Sequence, residues 1–191
     1  MRERILKAAS EEIKNKGTAF RMDDLAHELN ISKRTLYEHF SSKREIVEVI
    51  INAKIEDTYE QHRQLLEDPD LSAEEKLAKY FLIRSRIYPL LTEYTLNEFF
   101  YKMPDLIDHV RESCQKDWDL LQTFMEEAKQ DGFIKEYDTK ILLTMLQGTL
   151  LELFSKKEDF KEYGTFNDVM KIVVDVLLNG IKKDGGRTIH E

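Results

Sequence analysis

Apolar residues along this chain recur mostly at helical spacing. Ile5, Ala9 and Ile13 lie four residues apart, which places them on one face of a helix that Gly17 would end. No stretch shows the alternation of apolar and polar residues, bounded by turns, that is typical of strands. The pattern therefore predicts an all-α protein of about nine helices. Their approximate bounds are 2–16, 23–29, 33–39, 43–66, 72 to near Pro89, 96–100, 104–130, 138–155 and 166–183.

Residues that favour helix ends support this pattern. Ser72 and Glu75 form a capping-box pattern at the start of the fifth predicted helix. Pro104 lies where the first turn of the seventh tolerates a proline. The chain has only 7 glycines and 3 prolines, so few positions interrupt the helices.

Charge is unevenly distributed along the chain, although the net value is −8. Residues 1–44 contain ten Lys and Arg against seven Asp and Glu, an excess of +3, so the rest of the chain carries −11. A basic head on an acidic body is expected of a protein that meets phosphate at one end only. Chance asymmetry in a helical protein is the alternative explanation.

Several functional classes find no support in the sequence. It has no glycine-rich phosphate loop, no His-Glu-x-x-His motif, and no glutamate three residues before any of its five histidines. The single cysteine, Cys114, offers no internal disulfide, and nothing supports it as a nucleophile. We therefore expect no enzymatic activity, no metal and no cofactor. Because no segment has the length and apolar character of a signal peptide or a membrane span, we expect a cytoplasmic protein.

Residues 22–40 have the form of a helix-turn-helix. Ala26 is small where two helices must cross closely, and Asn30 stands at the turn, where a left-handed backbone is needed. Ser32 is a good N-cap for the next helix. That helix opens with Lys33-Arg34, as a recognition helix must if its N-terminal end is to meet base edges and phosphates in the major groove. The apolar wedge between the two helices consists of Leu25, Leu29, Ile31, Leu36 and Phe40.

The N-terminal segment resembles the DNA-binding domain of TetR-family regulators. The resemblance covers about residues 2–50 and is architectural beyond them. It implies an N-terminal three-helix helix-turn-helix DNA-binding domain, residues 1–46, and a C-terminal helical effector-binding and dimerisation domain, residues 47–191. It rests on Ile-Leu-Lys-Ala-Ala in the first helix, on Gly17, on Asp-Leu-Ala, on the run Ile-Ser-Lys-Arg-Thr-Leu-Tyr-Glu-His-Phe and on the following Ser-Lys-Arg-Glu.

The family's motif implies roles for individual positions. Residues that open the recognition helix are expected to approach bases, and Tyr37, His39 and Lys43 are expected to lie against backbone phosphates. Two positions depart from the family's pattern. Asn30 replaces the common turn glycine, and Arg21 stands near where Ser or Thr often caps the second helix, so we expect Arg21 to reach phosphate instead. The expected DNA-binding residues are Arg21, Ser32, Lys33, Arg34, Thr35, Tyr37, His39 and Lys43.

By the same resemblance, the body of the protein holds a pocket for a small apolar or amphipathic effector. The fifth to seventh predicted helices are rich in aromatic residues, and an apolar cavity with a few polar groups suits such a ligand. Arg84, Arg86, Glu98 or His109 could supply the polar groups. The alternative is that the aromatic residues simply fill the core. The expected pocket residues are Phe81, Arg84, Tyr88, Phe99, Phe100, Met103, Trp118 and Met125.

The last two predicted helices have broad apolar faces, and in the family the matching pairs from two subunits form a four-helix bundle. We therefore expect a homodimer through about residues 138–183, with a purely intrachain core as the alternative. The expected function is a repressor that binds a palindromic operator in double-stranded DNA. An effector would release it by shifting the fourth helix. A helical protein-interaction module without DNA binding is the alternative.

Overall fold

The structure is a computed structural model that describes residues 1–88, 91, 93–155 and 165–181. No residue in these ranges belongs to a strand, which confirms the predicted all-α fold. Pro89 and the predicted end of the last helix at Lys183 lie outside them. The α-helices described are α1 (Arg2–Lys16), α2 (Met22–Glu28), α3 (Lys33–His39), α4 (Lys43–Glu67), α5 (Ala73–Tyr80), α6 (Glu93–Lys102), α7 (Asp105–Ser113), α8 (Gln115–Gln130), α9 (Thr139–Ser155) and α10 (Phe166–Ile181), with a 3-10 helix at Gly17–Ala19.

The chain divides into two compact units. The first unit comprises Met1–Tyr59 and Arg84–Gln115, and the second comprises Glu60–Ile83 and the described residues from Lys116 onward. Each unit has its own hydrophobic core. The predicted domain boundary near residue 46 lies within the first unit, and the division of function that it marks stays a prediction.

The core of the first unit joins the helix-turn-helix to later parts of the chain. The 3-10 helix packs against both α1 and α6, and α2 packs against α1 and α3. The small α3 therefore does not depend on its own few apolar residues, since a much larger buried cluster supports it. Fully buried members of this cluster include Ile5, Leu25, Leu36, Phe40, Ile46 and Phe99.

The second unit contains a buried polar cluster beside its apolar core. The Nδ1 atom of His62 lies 2.9 Å from both carboxylate oxygens of Asp117, and its Nε2 atom lies 2.9 Å from the carbonyl oxygen of Tyr80. The rings of His62 and Tyr80 stack with centroids 3.7 Å apart. The Tyr80 hydroxyl donates to Asp117 at 2.8 Å. The cluster thereby ties α4, α5 and α8 together.

The predicted helix ends are largely confirmed. The capping box forms, because Ser72 Oγ accepts from the Glu75 N–H at 3.3 Å and the Glu75 carboxylate accepts from the Ser72 N–H at 2.9 Å. Gly17 follows α1 with φ 54°. Each of these ends is set by residues within one helical turn, which is why the sequence alone indicates them.

The end of α2 shows how a non-glycine residue makes the tight turn. Asn30 has φ 52°, its N–H donates to the His27 carbonyl at 3.1 Å, and the Ile31 N–H donates to the Ala26 carbonyl at 3.0 Å. This pair of bonds is the Schellman arrangement, in which the left-handed residue is usually glycine. The predicted left-handed backbone at Asn30 is confirmed.

Replacing Asn30 tests how much the turn depends on its residue type. We expect Asn30→Ala to lower the free energy of unfolding by about 1 kcal/mol, since alanine meets the steric penalty of left-handed backbone. Asn30→Gly should match or exceed the wild type, because glycine has no Cβ to clash. Urea unfolding followed by circular dichroism measures both, with Asn15→Ala on the exposed side of α1 as a control expected to leave stability unchanged or raise it slightly, because alanine favours helix more than asparagine. Equal stability of Asn30→Ala and the wild type would contradict this account.

Two predicted helices differ from those observed. The helix beginning after Ser72 ends at Tyr80 instead of continuing toward Pro89. Residues 84–88 are held in a non-helical path in the first unit: Asp57 accepts from the Arg86 N–H at 2.6 Å, and Lys54 donates to the Tyr88 carbonyl at 3.3 Å. Tyr88 also has φ 50°, which a right-handed helix does not allow.

The long seventh helix predicted over 104–130 is instead two helices, α7 and α8, with Cys114 between them. No glycine or proline marks this break. Leu106 of α7 is buried in the core of the first unit, whereas Leu121 and Met125 of α8 are buried in the core of the second. The break therefore follows from packing in two different cores, which local sequence does not encode.

Candidate nucleic-acid interface

Helix α3, the predicted recognition helix, is held at its N-terminal end by Ser32. The Ser32 hydroxyl oxygen accepts from the Thr35 N–H at 3.0 Å, and the two hydroxyl groups lie 2.8 Å apart. This confirms Ser32 as the N-cap and satisfies one of the free N–H groups of the first turn. Any additional contact of Ser32 with DNA stays a prediction.

The two sides of α3 have opposite character. Leu36 and the adjoining Phe40 are completely buried in the core of the first unit. Arg34 has 90% of its side chain exposed, and Lys33 and Tyr37 are also exposed. Thr35 and His39 are half-buried at the edge. The helix therefore presents cationic and hydrogen-bonding groups outward from a rigid base, as direct contact with base edges and phosphates requires.

Both cations of the recognition helix have acidic partners in the free protein. Lys33 Nζ lies 2.5 Å from Asp23 Oδ2, and Arg34 Nε lies 3.0 Å from Glu38 Oε1. Such exposed ion pairs contribute little free energy. DNA phosphates or guanine edges can therefore replace the carboxylates without a large loss. The i,i+4 spacing of Arg34 and Glu38 is visible in the sequence, whereas nothing local indicates the Asp23 pair.

Arg2 of α1 holds the C-terminal end of the recognition helix. Its Nη1 atom donates to the His39 carbonyl at 2.7 Å, and its guanidinium lies 4.2 Å from the centroid of the Phe40 ring. A cation is favourable at this end of a helix, where carbonyl groups lack partners. Glu45 lies 3.8 Å from Arg2, and hydrogen bonds from Ser41 hold the pKa of the Glu45 carboxyl below its usual range. No local sequence pattern indicates this role of Arg2, because Arg2 and His39 are 37 positions apart.

Arg21 directly precedes α2 and is exposed. Its backbone is extended, and its side chain makes no capping hydrogen bond. A guanidinium cannot accept a hydrogen bond, so this position cannot act as a Ser or Thr cap. The side chain projects from the start of the helix-turn-helix and stays a predicted phosphate contact.

Lys43 contacts other parts of the chain in the free protein. Its ammonium donates to the carbonyl oxygens of Thr18 at 2.5 Å and Phe20 at 2.8 Å, and it lies 4.3 Å from the centroid of the Phe20 ring. Burial lowers the pKa of this ammonium, and the nearby charge of Lys102 lowers it further. In the free protein Lys43 thus binds the connection between α1 and α2, and its contact with phosphate stays a prediction.

Comparison with known proteins agrees with this geometry. Residues 5–50 match the model of the family described as bacterial regulatory proteins, tetR family. Over 184 residues the chain is 30% identical to the HTH-type transcriptional regulator YvaF of Bacillus subtilis, described as uncharacterized, with 96% of this chain and 97% of that protein covered. The chain belongs to the TetR family. It is a DNA-binding transcriptional regulator, and the residues that match the family model include the helix-turn-helix of α2 and α3.

Solved structures share the TetR-family fold across nearly the whole chain. A putative transcriptional regulator from Saccharomonospora viridis in complex with choline has a TM-score of 0.70 and 20% identity, covering 95% of this chain and 97% of that chain. FadR from Bacillus subtilis in complex with stearoyl-CoA has a TM-score of 0.64 and 19% identity, covering 92% of this chain and 96% of that chain.

Among the residues that the structure describes, no helix combines the length and the apolar composition of a membrane span.

The predicted pocket residues of this TetR-family chain are distributed over the two units. One set belongs to the first core and its surroundings, and another belongs to the second core. Arg84 begins the second segment of the first unit and is half-buried. Their role in binding an effector stays a prediction. The first set is Tyr88, Phe99, Phe100 and Met103, and the second is Phe81, Trp118 and Met125.

Proposed function

We propose that this TetR-family regulator binds a palindromic operator as a homodimer, represses transcription, and is released by a small apolar or amphipathic effector. The observation that carries the DNA-binding part is the capped and buried base of α3, from which Lys33, Arg34 and Tyr37 project. Two such helices related by a two-fold axis would enter successive major grooves about 34–36 Å apart. A regulator of transcription acts where its operator DNA is transcribed, so the proposed location is the cytoplasm.

Outward-facing apolar residues on α9 and α10 support the homodimer. Each helix buries one side in the second core, through residues such as Leu146 and Val174. Each also exposes large apolar side chains on another side, which is typical of a protein–protein contact. We call these residues the outer apolar residues. They are Ile141 and Met145 on α9 and Ile172 and Val176 on α10.

The proposed class of effector rests on the ligands bound by proteins of similar structure. One structural neighbour is described in complex with stearoyl-CoA and another in complex with choline, so related folds hold quite different small molecules. A fold does not determine its ligand, and the class proposed here extends only to apolar or amphipathic compounds. A coupling of about 1–3 kcal/mol between effector and operator would make a usable switch.

Arg34→Ala tests the recognition helix directly. The purified protein is used to select duplexes from a random DNA pool, and the selected sequence then serves for affinity measurements. We expect wild type to recover a palindrome and Arg34→Ala to bind it at least about 30-fold more weakly, because one contact of about 1–3 kcal/mol is lost in each half-site, with relaxed preference at one base pair of each half-site. Arg111→Ala, which removes an exposed arginine from α7, is the matched control. Failure of the wild type to enrich any sequence would favour the interaction-module alternative.

A further inference from the structure

Thr18 lies at the centre of a charged cluster in the connection between α1 and α2. Its carbonyl accepts from Lys43 Nζ of α4 at 2.5 Å. Its hydroxyl accepts from Lys102 Nζ of α6. Its N–H lies 3.5 Å from the Glu98 carboxylate, also of α6. Each polar group of this one residue is thus taken by a different charged side chain, and hydrogen bonds to charged groups are the stronger ones.

Gly17 and Phe20, which flank Thr18 in the sequence, also lie close to α6. Gly17 has φ 54°, a backbone conformation that favours glycine, and a Cβ atom there would clash with Glu98 Oε2, so a larger residue would displace the Glu98 carboxylate. Phe20 and Phe99 are buried with ring centroids 6.4 Å apart. The polar contacts at Thr18 are therefore backed by an apolar contact between the same two elements.

This connection leads directly into the helix-turn-helix. Phe20 is followed by Arg21 and then by α2, which packs against α3. A change in the position of residues 17–20 would therefore move the start of α2 and, through it, the recognition helix. Binding is sensitive to such changes because base contacts need side chains held within about 0.5 Å.

We propose that Glu98 and Lys102 of α6 are positioning residues for operator recognition, which hold the connection at Thr18 in the geometry that binds DNA. The proposal rests on operator binding by the helix-turn-helix. It makes α6, which lies outside the helix-turn-helix, a determinant of operator affinity through protein contacts alone. A displacement of α6 would then weaken operator binding without any change in a DNA-contacting side chain.

The test compares full-length variants on the selected operator. Lys102→Met keeps the length of the side chain and removes its charge, and Thr18→Val keeps the branched shape and removes the hydroxyl. We expect each to weaken operator binding about 3- to 10-fold. We expect the double variant to bind the operator with the affinity of the weaker-binding single variant, because both substitutions remove the same hydrogen bond. Thr18→Ser, which keeps the hydroxyl, should bind like wild type.

The salt dependence of binding separates positioning from a direct phosphate contact. For Lys102→Met we expect a slope of log affinity against log salt equal to that of wild type, and unchanged binding to non-specific duplex. A slope shallower by about 1.8, which is about 0.9 for each of the two subunits, would make Lys102 a phosphate contact and overturn the proposal. Lys79→Met, on the exposed side of α5, controls for the lost charge.

Thermal unfolding separates positioning from general stability. All affinities are measured well below the melting temperature of each variant. If Lys102→Met melts earlier but binds the operator like wild type, the cluster is merely structural and the proposal is wrong. If Lys102→Met does not fold, the operator affinity of Thr18→Val alone tests the proposal. That substitution only replaces a hydroxyl with a methyl group in a half-buried side chain. Absence of specific binding by the wild type would instead refute operator binding itself.

Discussion

Placing a glutamate at Val176 is expected to convert the protein to monomers and to remove tight operator binding. Val176 is one of the outer apolar residues, with 66% of its surface exposed in the single chain. In a two-fold dimer built on these residues the substitution is present twice, so two carboxylates would be buried without partners. Each such charge costs several kcal/mol, so the dimerisation constant should fall more than about 100-fold.

Sedimentation velocity at micromolar protein measures this outcome, with circular dichroism to show that the helices remain. Met145→Glu on α9 should act in the same way, since it adds the same charge among the outer apolar residues. Thr123→Glu adds the charge to the exposed side of α8 and serves as the matched control, which should stay dimeric. If Val176→Glu and Met145→Glu both stay dimeric, the subunits meet elsewhere.

The loss of operator binding follows from the geometry of the dimer. Each recognition helix reads one half-site, and a dimer binds two half-sites for a single loss of translational freedom. A monomer keeps its contacts with one half-site only. Val176 is far from α3 in the sequence. If Val176→Glu loses operator affinity and dimerisation to a matching degree, operator binding depends on dimerisation. Tight operator binding by a proven monomer would contradict the proposed mode of binding.

Features of the helix-turn-helix that depend on neighbouring residues could be predicted from the sequence. The Ser32 cap and the left-handed Asn30 both follow from bonds that span at most five residues. The same holds for the capping box at Ser72 and Glu75. The exposed cations of α3 also follow locally, because helical periodicity determines which side of a short helix remains outside.

Features that depend on contacts distant in the chain could not be predicted. The sequence gives no sign that Lys43 turns toward Thr18, 25 residues earlier, or that Lys102 reaches the same residue from α6. The division of the predicted pocket residues between two cores has the same origin. Aromatic residues at helical spacing indicate that a face is buried, but periodicity does not say against which other helix it packs.

The largest expected effect on stability is that of His62→Ala. Both ring nitrogens of His62 face oxygen atoms that only accept, namely the Asp117 carboxylate and the Tyr80 carbonyl. The ring therefore lies within hydrogen-bond distance of α8 and α5 while it also stacks on Tyr80. Removing it leaves a carboxylate and a carbonyl in the core of the second unit with fewer donors. We expect the free energy of unfolding to fall by about 2–4 kcal/mol.

Urea unfolding of the wild type and the variant at one protein concentration measures the effect, since a dimer's stability depends on concentration. His109→Ala is the matched control. His109 donates to Asn52 at the protein surface, so its loss should change stability by less than about 0.5 kcal/mol. A His62→Ala protein as stable as His109→Ala would show that the buried cluster contributes little.

His62→Phe together with Asp117→Asn separates stacking from charge. Phenylalanine keeps a ring over Tyr80 but leaves the Asp117 carboxylate without its imidazole donor, so His62→Phe alone should be strongly destabilising. Asp117→Asn removes that stranded charge and keeps a group that accepts from the Tyr80 hydroxyl. The double variant should therefore recover part of the stability lost in His62→Phe. Additive losses would mean that His62 stabilises the second unit through stacking and volume rather than through its bond to Asp117.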